Sequence, residues 1–189
     1  MTSRTGVYPG SFNPPTVAHL AIAEAARDHH ALDRVELAVS VSALAKEDVV
    51  HPRFEDRIAV IRASVTDQPW LEVRVTEAQL LVDIAAGHDL VIMGADKWVQ
   101  IQDPVWYGGD PEARDEALAR LPPVAVVTRG DLPVPADVVL PVDPALVEAV
   151  SSTKARAGDT VLMTPAARAF AERTGAWIDP ERYDRHVAG

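Results

Sequence analysis

The chain has no cysteine. That excludes a disulfide framework and any thiolate metal site, and it leaves the redox compartment undetermined. It also has no run of about 18 apolar residues, so no transmembrane helix is expected. The N-terminal "MTSRTGVYPGSF" lacks the apolar core of a signal peptide. A soluble cytoplasmic protein is the default expectation. Positive charge is scarce: 18 basic residues stand against 28 acidic ones, for a formal net charge of −10. This argues against a general nucleic-acid binder, which must neutralise a string of phosphates, but not against a small anion held in a local pocket. Of the basic residues only Lys46, Lys97 and Lys154 are lysines.

What is present fits one folded unit. With 189 residues, of which 48% are apolar, the chain matches a single domain over 1–189, with 151–189 as a C-terminal motif and helical tail. β-like and helical patterns alternate. "GVYPGSF" opens with a short strand and 17–28 is helical, with Val17, Leu20 and Ile22 on an alanine background. In 34–41 the residues Val35, Leu37, Val39 and Val41 alternate to one side of a strand. A helix is expected over 54–65, a strand over 71–75, a glycine-terminated helix over 78–87, and a continuous apolar strand over 89–94. An irregular stretch follows, then a polar helix over 112–120 and strands over 123–129 and 137–142. A polar knot at 151–159 precedes a last helix near 165–174. The order implies βαβ units: an α/β fold with a doubly wound, Rossmann-like parallel sheet and a short C-terminal helical segment.

In such sheets ligands sit beyond the carboxyl ends of strands. The stretch "YPGSFNPPTVAHL" (8–20) occupies that place after the first strand. Gly10 lets backbone approach a ligand, Pro14 and Pro15 stiffen the turn, and Thr16 suits an N-cap. Thr16 and His19 lie three apart at a helix start, where free amides favour an anion. A hydroxyl and an imidazole there are placed to donate to one phosphate; equally, Thr16 is an ordinary cap and His19 an ordinary semi-buried histidine.

"GSFNPPTVAHL" resembles the signature of the nucleotidyltransferase superfamily that carries (H/T)xGH after a G-[GS]-[FT]-[DN]-P segment. Thr16 and His19 occupy its outer positions, and Ala18 stands where the signature has glycine. "SSTKAR" (151–156) resembles the second signature, ISSTxxR, with Ser151, Ser152, Thr153 and Arg156 in register. The resemblance runs from about Gly6 to Phe170 and is strongest to nicotinate and nicotinamide mononucleotide adenylyltransferases. "MGADKW" is similar to their GAD segment, in which Gly94 and Asp96 would meet the adenosine and Trp98 and Trp106 would lie beside the pyridine ring. "PVAVVTRGD" supplies Arg129 at a strand end. In "ALAKEDVVHPRFEDR", Lys46 and Arg57 match in order a lysine and an arginine near the acceptor's phosphate, without the Pro-His-Lys wording of that branch.

The resemblance implies transfer of AMP from ATP to the phosphate of a pyridine mononucleotide, with release of pyrophosphate. His19, Thr16 and Arg156 would act on the phosphates. Gly10, Ser11, Phe12, Gly94, Asp96, Ser151, Ser152 and Thr153 would bind ATP, and Lys46, Arg57, Trp98, Trp106 and Arg129 the acceptor. Mg²⁺ would arrive on the ATP phosphates, with no dedicated protein metal site. The partners are thus ATP and a small phosphorylated acceptor, with no nucleic acid and no membrane. The wording "VYPGSF" is typical of pantetheine-phosphate adenylyltransferases, so that activity, or a cytidylyltransferase on another acceptor, stays open. So does a nucleotide-binding module without turnover. The tail "WIDPERYDRHVAG" is expected to dock either on the domain or on another subunit of a homo-oligomer.

Overall fold

The computed structural model describes residues 3–41, 51–128, 130–143, 145, 147 and 152–189. Five strands form one all-parallel sheet in the order β3-β2-β1-β4-β5: β1 (Thr5–Pro9), β2 (Arg34–Ser40), β3 (Leu71–Thr76), β4 (Leu90–Gly94) and β5 (Val124–Val127). The central pairing aligns Gly6 with Leu90 and Val7 with Val91. The connecting helices are α1 (Val17–His29), α2 (Phe54–Ser64), α3 (Leu81–Ile84), α4 (Ala95–Gln100) and α5 (Pro111–Ala119). The expected doubly wound α/β sheet is therefore the fold.

Both sheet faces are covered, which is why β4 reads as an unbroken apolar run. On one face Val35, Leu37 and Val39 pack with Ile22, Ala23 and Ile61 of α1 and α2. On the other, Val7, Ala38, Val91 and Met93 pack with Leu81, Ile84 and Ala95. The β2 alternation holds through Val39, but Val41 lies beyond the strand and is exposed. Among the described residues no helix is long and apolar enough to cross a membrane.

Three expectations are corrected. The helix expected over 78–87 is a single turn, α3. Ala78 N–H donates to Thr76 Oγ1 at 3.1 Å and Ala78 O accepts from Ser40 Oγ at 2.8 Å. Side chains thus claim the backbone groups that would start a longer helix. The strand expected over 137–142 reduces to one parallel bridge between Val126 and Val139, after a 3-10 turn at Ala136–Val138. Pro135 and Pro141 flank it and cannot donate to a ladder. The stretch before the polar helix is not irregular: α4 and a 3-10 turn at Pro104–Tyr107, capped by Asp103, occupy it, while the helix expected over 112–120 is present as α5, capped by Asp110.

The C-terminal segment comprises α6 (Ser152–Arg156), α7 (Pro165–Thr174) and α8 (Pro180–Ala188). Its residues Ala155, Met163, Ala167, Ala171, Trp177 and Tyr183 form a cluster with Val60 of α2. The tail therefore docks on its own domain. Tyr183, only 1% exposed, donates through its hydroxyl to Asp56 and accepts from the Arg53 N–H at 2.9 Å. Burial first, and then the bond to Asp56, push this phenol up to about 12. A pKa raised by folding means that its contribution is intact below about pH 10 and is lost as pH climbs towards the folded value. Between about pH 9 and about pH 11.5, urea unfolding should show wild type losing more stability than Tyr183→Phe. Equal losses would refute the assignment.

Candidate active site

Strand order reverses between β1 and β4, and that switch point is where an open parallel sheet leaves a crevice at its carboxyl edge. The βαβ course brings each crossover helix back from the same edge. It places the Gly10–Thr16 loop after β1, the start of α2 after β2, and Gly94 with α4 after β4 at one rim.

The first loop is built around Phe12. Its ring lies over Gly10, where a Cβ would come within 2.8 Å of Phe12 Cζ, so the close approach requires glycine. Phe12 is 2% exposed and has φ +43°. It meets Tyr8 and His19 edge-on, with ring centroids 5.5 and 5.0 Å apart. The ring belongs to the core and holds the imidazole from one side; Ser11 sits half-buried beside it.

The next three residues, Asn13, Pro14 and Pro15, are buried, and their carbonyls need donors that two prolines cannot supply locally. All three are satisfied by the C-terminal segment. Arg156 Nη1 donates to Asn13 O, Ser152 Oγ to Pro14 O at 2.9 Å, and Thr164 N–H to Pro15 O at 3.1 Å. Thr16 then forms an antiparallel bridge with Met163. Residues 143 apart in sequence are thereby knitted into one surface. This is the local reason that the two motifs meet.

Thr16 is the N-cap of α1 and is 1% exposed. Its N–H donates to His19 Nδ1 at 3.0 Å, and its Oγ1 lies 2.8 Å from the same nitrogen. An N–H donor there makes Nδ1 an acceptor, so the neutral ring carries its proton on Nε2, on the opposite edge. The Thr16 backbone N–H thus sets the tautomer, and the threonine hydroxyl faces the same nitrogen. Ala18 is 2% exposed, on the buried side of α1 with Ile22, Ala23 and Ala26. Its methyl is packed into the protein.

In the second motif Ser152 is spent on the loop carbonyl, while Thr153 is exposed and its Oγ1 lies 3.3 Å from Arg156 Nη2. The Arg156 side chain carries further donors on an exposed residue. At the end of β4, the Asp96 carboxylate folds back over Gly94, whose Cβ would stand 2.5 Å from Asp96 Oδ1. Trp98 and Trp106 are half-buried, and Trp98 packs against the core beneath β4. Lys46, Arg129 and Ser151 lie outside the described residues.

Arg57, in the first turn of α2, is 7% exposed. Its Nε is buried without a hydrogen-bond partner, and no carboxylate pairs with it among the described residues. The Phe54 ring lies 5.3 Å from its guanidinium carbon, and burial lowers its pKa. An arginine stays charged in proteins, so this is a buried cation with no carboxylate partner among the described residues.

The family model for cytidylyltransferase-like proteins matches residues 7–158, from β1 through the second motif. The chain belongs to the cytidylyltransferase-like family.

Among similar proteins, this cytidylyltransferase-like chain is 44% identical over 64 residues to a Geobacter sulfurreducens protein named "Probable nicotinate-nucleotide adenylyltransferase"; the match covers 34% of this chain and 30% of the relative. A protein of the same name from Geotalea daltonii is 29% identical over 153 residues, covering 74% of this chain and 67% of the relative. A Rhizorhabdus wittichii "Phosphopantetheine adenylyltransferase" is 35% identical over 95 residues, covering 48% of this chain and 53% of the relative. With the first of these relatives, similarity thus spans under a third of that protein's length. Asn13, Met163, Thr164 and Trp177 are the residues that sequence reasoning did not place at the site.

Proposed function

We propose that the protein transfers AMP from ATP to the phosphate of a pyridine mononucleotide, forming a dinucleotide and pyrophosphate. The observation that carries this reading is the knitting of the second-motif helix onto the first-motif loop at the switch point, which gathers imidazole, guanidinium and hydroxyl donors on one surface. Such a donor set suits a chain of phosphates. Relatives named for two adenylyltransferase activities support the same class.

An oxygen of the acceptor's phosphate attacks the α-phosphorus of ATP in line. The bond to the α,β-bridging oxygen breaks and pyrophosphate leaves with its electron pair. The acceptor is already ionised at neutral pH, so no base or covalent intermediate is needed, and catalysis rests on positioning and charge stabilisation. His19 Nε2–H donates to the phosphate oxygens where charge builds, with Thr16 holding the tautomer that allows it. Arg156, backed by Ser151, Ser152 and Thr153, holds the leaving phosphates, while Gly10, Ser11 and Phe12 shape the loop beneath them. Asp96 on its Gly94 platform meets the ribose. Arg57 and Lys46 take the acceptor's phosphate, and Trp98, Trp106 and Arg129 its ring end. The donors around the loop are ones for anions, so a Mg²⁺, which takes oxygen ligands, would be carried by phosphate oxygens and water and would neutralise charge there.

Phosphopantetheine is the second reading, favoured by the "VYPGSF" wording and by the Rhizorhabdus wittichii relative. Pyrophosphate release from ATP or CTP, measured with nicotinate mononucleotide, nicotinamide mononucleotide and phosphopantetheine, separates the acceptors. Turnover with ATP and a pyridine mononucleotide is expected; ATP that neither binds nor turns over would end the adenylyltransferase reading.

A further inference from the structure

Trp177, in the turn between α7 and α8, has no part in the reading above, yet its indole reaches the first-motif loop. Its Nε1–H donates to the side-chain oxygen of Asn13, 164 residues away in sequence, and the indole is buried with the Phe170 ring 5.9 Å away. Trp177 has φ +69° and Phe12, next to Asn13, has φ +43°; the only other non-glycine residue with positive φ among the described residues is Ala31. Two unfavourable backbone conformations therefore flank one hydrogen bond, and such outliers persist where surrounding structure enforces them.

Asn13 is gripped twice: at its carbonyl by Arg156 and at its side chain by Trp177. The two grips differ in kind. Arg156 is exposed and cationic, so a bound polyphosphate competes for the same guanidinium. The indole N–H is a neutral single donor with no acceptor capacity. It is buried against Asn13, out of a ligand's reach.

Resting on the nucleotidyltransferase reading, we infer that Trp177 is a positioning residue: its hydrogen bond to Asn13 keeps the Gly10–Asn13 loop, and with it the Phe12 ring against His19, in place when Arg156 turns to the leaving phosphates. Trp177→Phe keeps a buried aromatic ring and removes the donor, along with part of the indole's volume, which the Thr174→Val control and the Asn13 variants separate from the hydrogen bond. It should lower kcat roughly tenfold with acceptor KM little changed, as expected when reacting groups are misplaced. Asn13→Leu should match it, Asn13→Asp should retain activity because a carboxylate still accepts, and the Trp177→Phe/Asn13→Leu double variant should be no worse than either single one. Thr174→Val is the control: it removes a buried hydroxyl bonded to Phe170 O and Ala176 N within the same segment, and should lower stability without changing kcat. In NMR spectra, Trp177→Phe should shift the Gly10 and Ser11 amides and the His19 ring, and Thr174→Val should not. Multiplicative effects in the double variant, or a Trp177→Phe kcat within about twofold of wild type, would overturn the role. Unmoved loop resonances would overturn it even if wild type turned over no acceptor, an outcome that would separately defeat the reading it rests on.

Discussion

His19→Ala should lower kcat by about a hundredfold to a thousandfold, the loss typical of removing one preorganised donor to developing charge. The fold should survive. The substitution removes no core side chain, since His19 is only half-buried, but it takes away the Nδ1 acceptor that both the Thr16 N–H and the Thr16 hydroxyl meet. That costs about 1–3 kcal/mol. Kinetics and thermal melting on the same preparation check both halves. Because the Nε2 proton exists through the Thr16 contact, a second consequence follows: Thr16→Val deletes the hydroxyl but keeps the N–H that fixes the tautomer, and should cost far less than His19→Ala. A near-normal rate for His19→Ala would remove His19 from the reaction.

Arg57→Met should make the protein more stable and less able to use its acceptor. Arg57, buried with its Nε unpaired and with no carboxylate partner among the described residues, carries a standing electrostatic cost. Replacing it with an apolar chain of similar reach should raise unfolding free energy by about 1–2 kcal/mol. The same change should raise acceptor KM by about tenfold to a hundredfold, the worth of one or two charge-assisted bonds to a phosphate. ATP affinity should move little. Opposite signs in the two measurements are the test: a destabilised variant with unchanged KM would mean that Arg57 is simply packed against Phe54.

The sheet was legible because its signal is periodic. β2, α2, β3 and α7 fall within a residue or so of the ends expected from alternation, helical spacing and capping. What failed were segments decided by single polar contacts. Ser40 and Thr76 shorten α3 by claiming Ala78, and Pro135 with Pro141 leaves Val139 one bridge instead of a strand. At the site, the motifs marked Gly10, Thr16, His19 and Arg156, but not how they meet. The carbonyls of Asn13, Pro14 and Pro15 carry no sequence signal, since every residue has one. Trp177 reads as a lone tail tryptophan until its N–H is traced to Asn13.

The three-carbonyl seam also bears on how this protein is made. Synthesis runs from the N-terminus, and the loop at Asn13, Pro14 and Pro15 emerges early, while its donors Ser152, Arg156, Thr164 and Trp177 emerge late. Once β5 is out all five strands of the sheet have been made, but the loop after β1 then lacks its partners. A nascent chain stalled before Ser152 would carry this loop without Ser152, Arg156, Thr164 and Trp177, and on the proposed reading its grip on phosphates would wait for them.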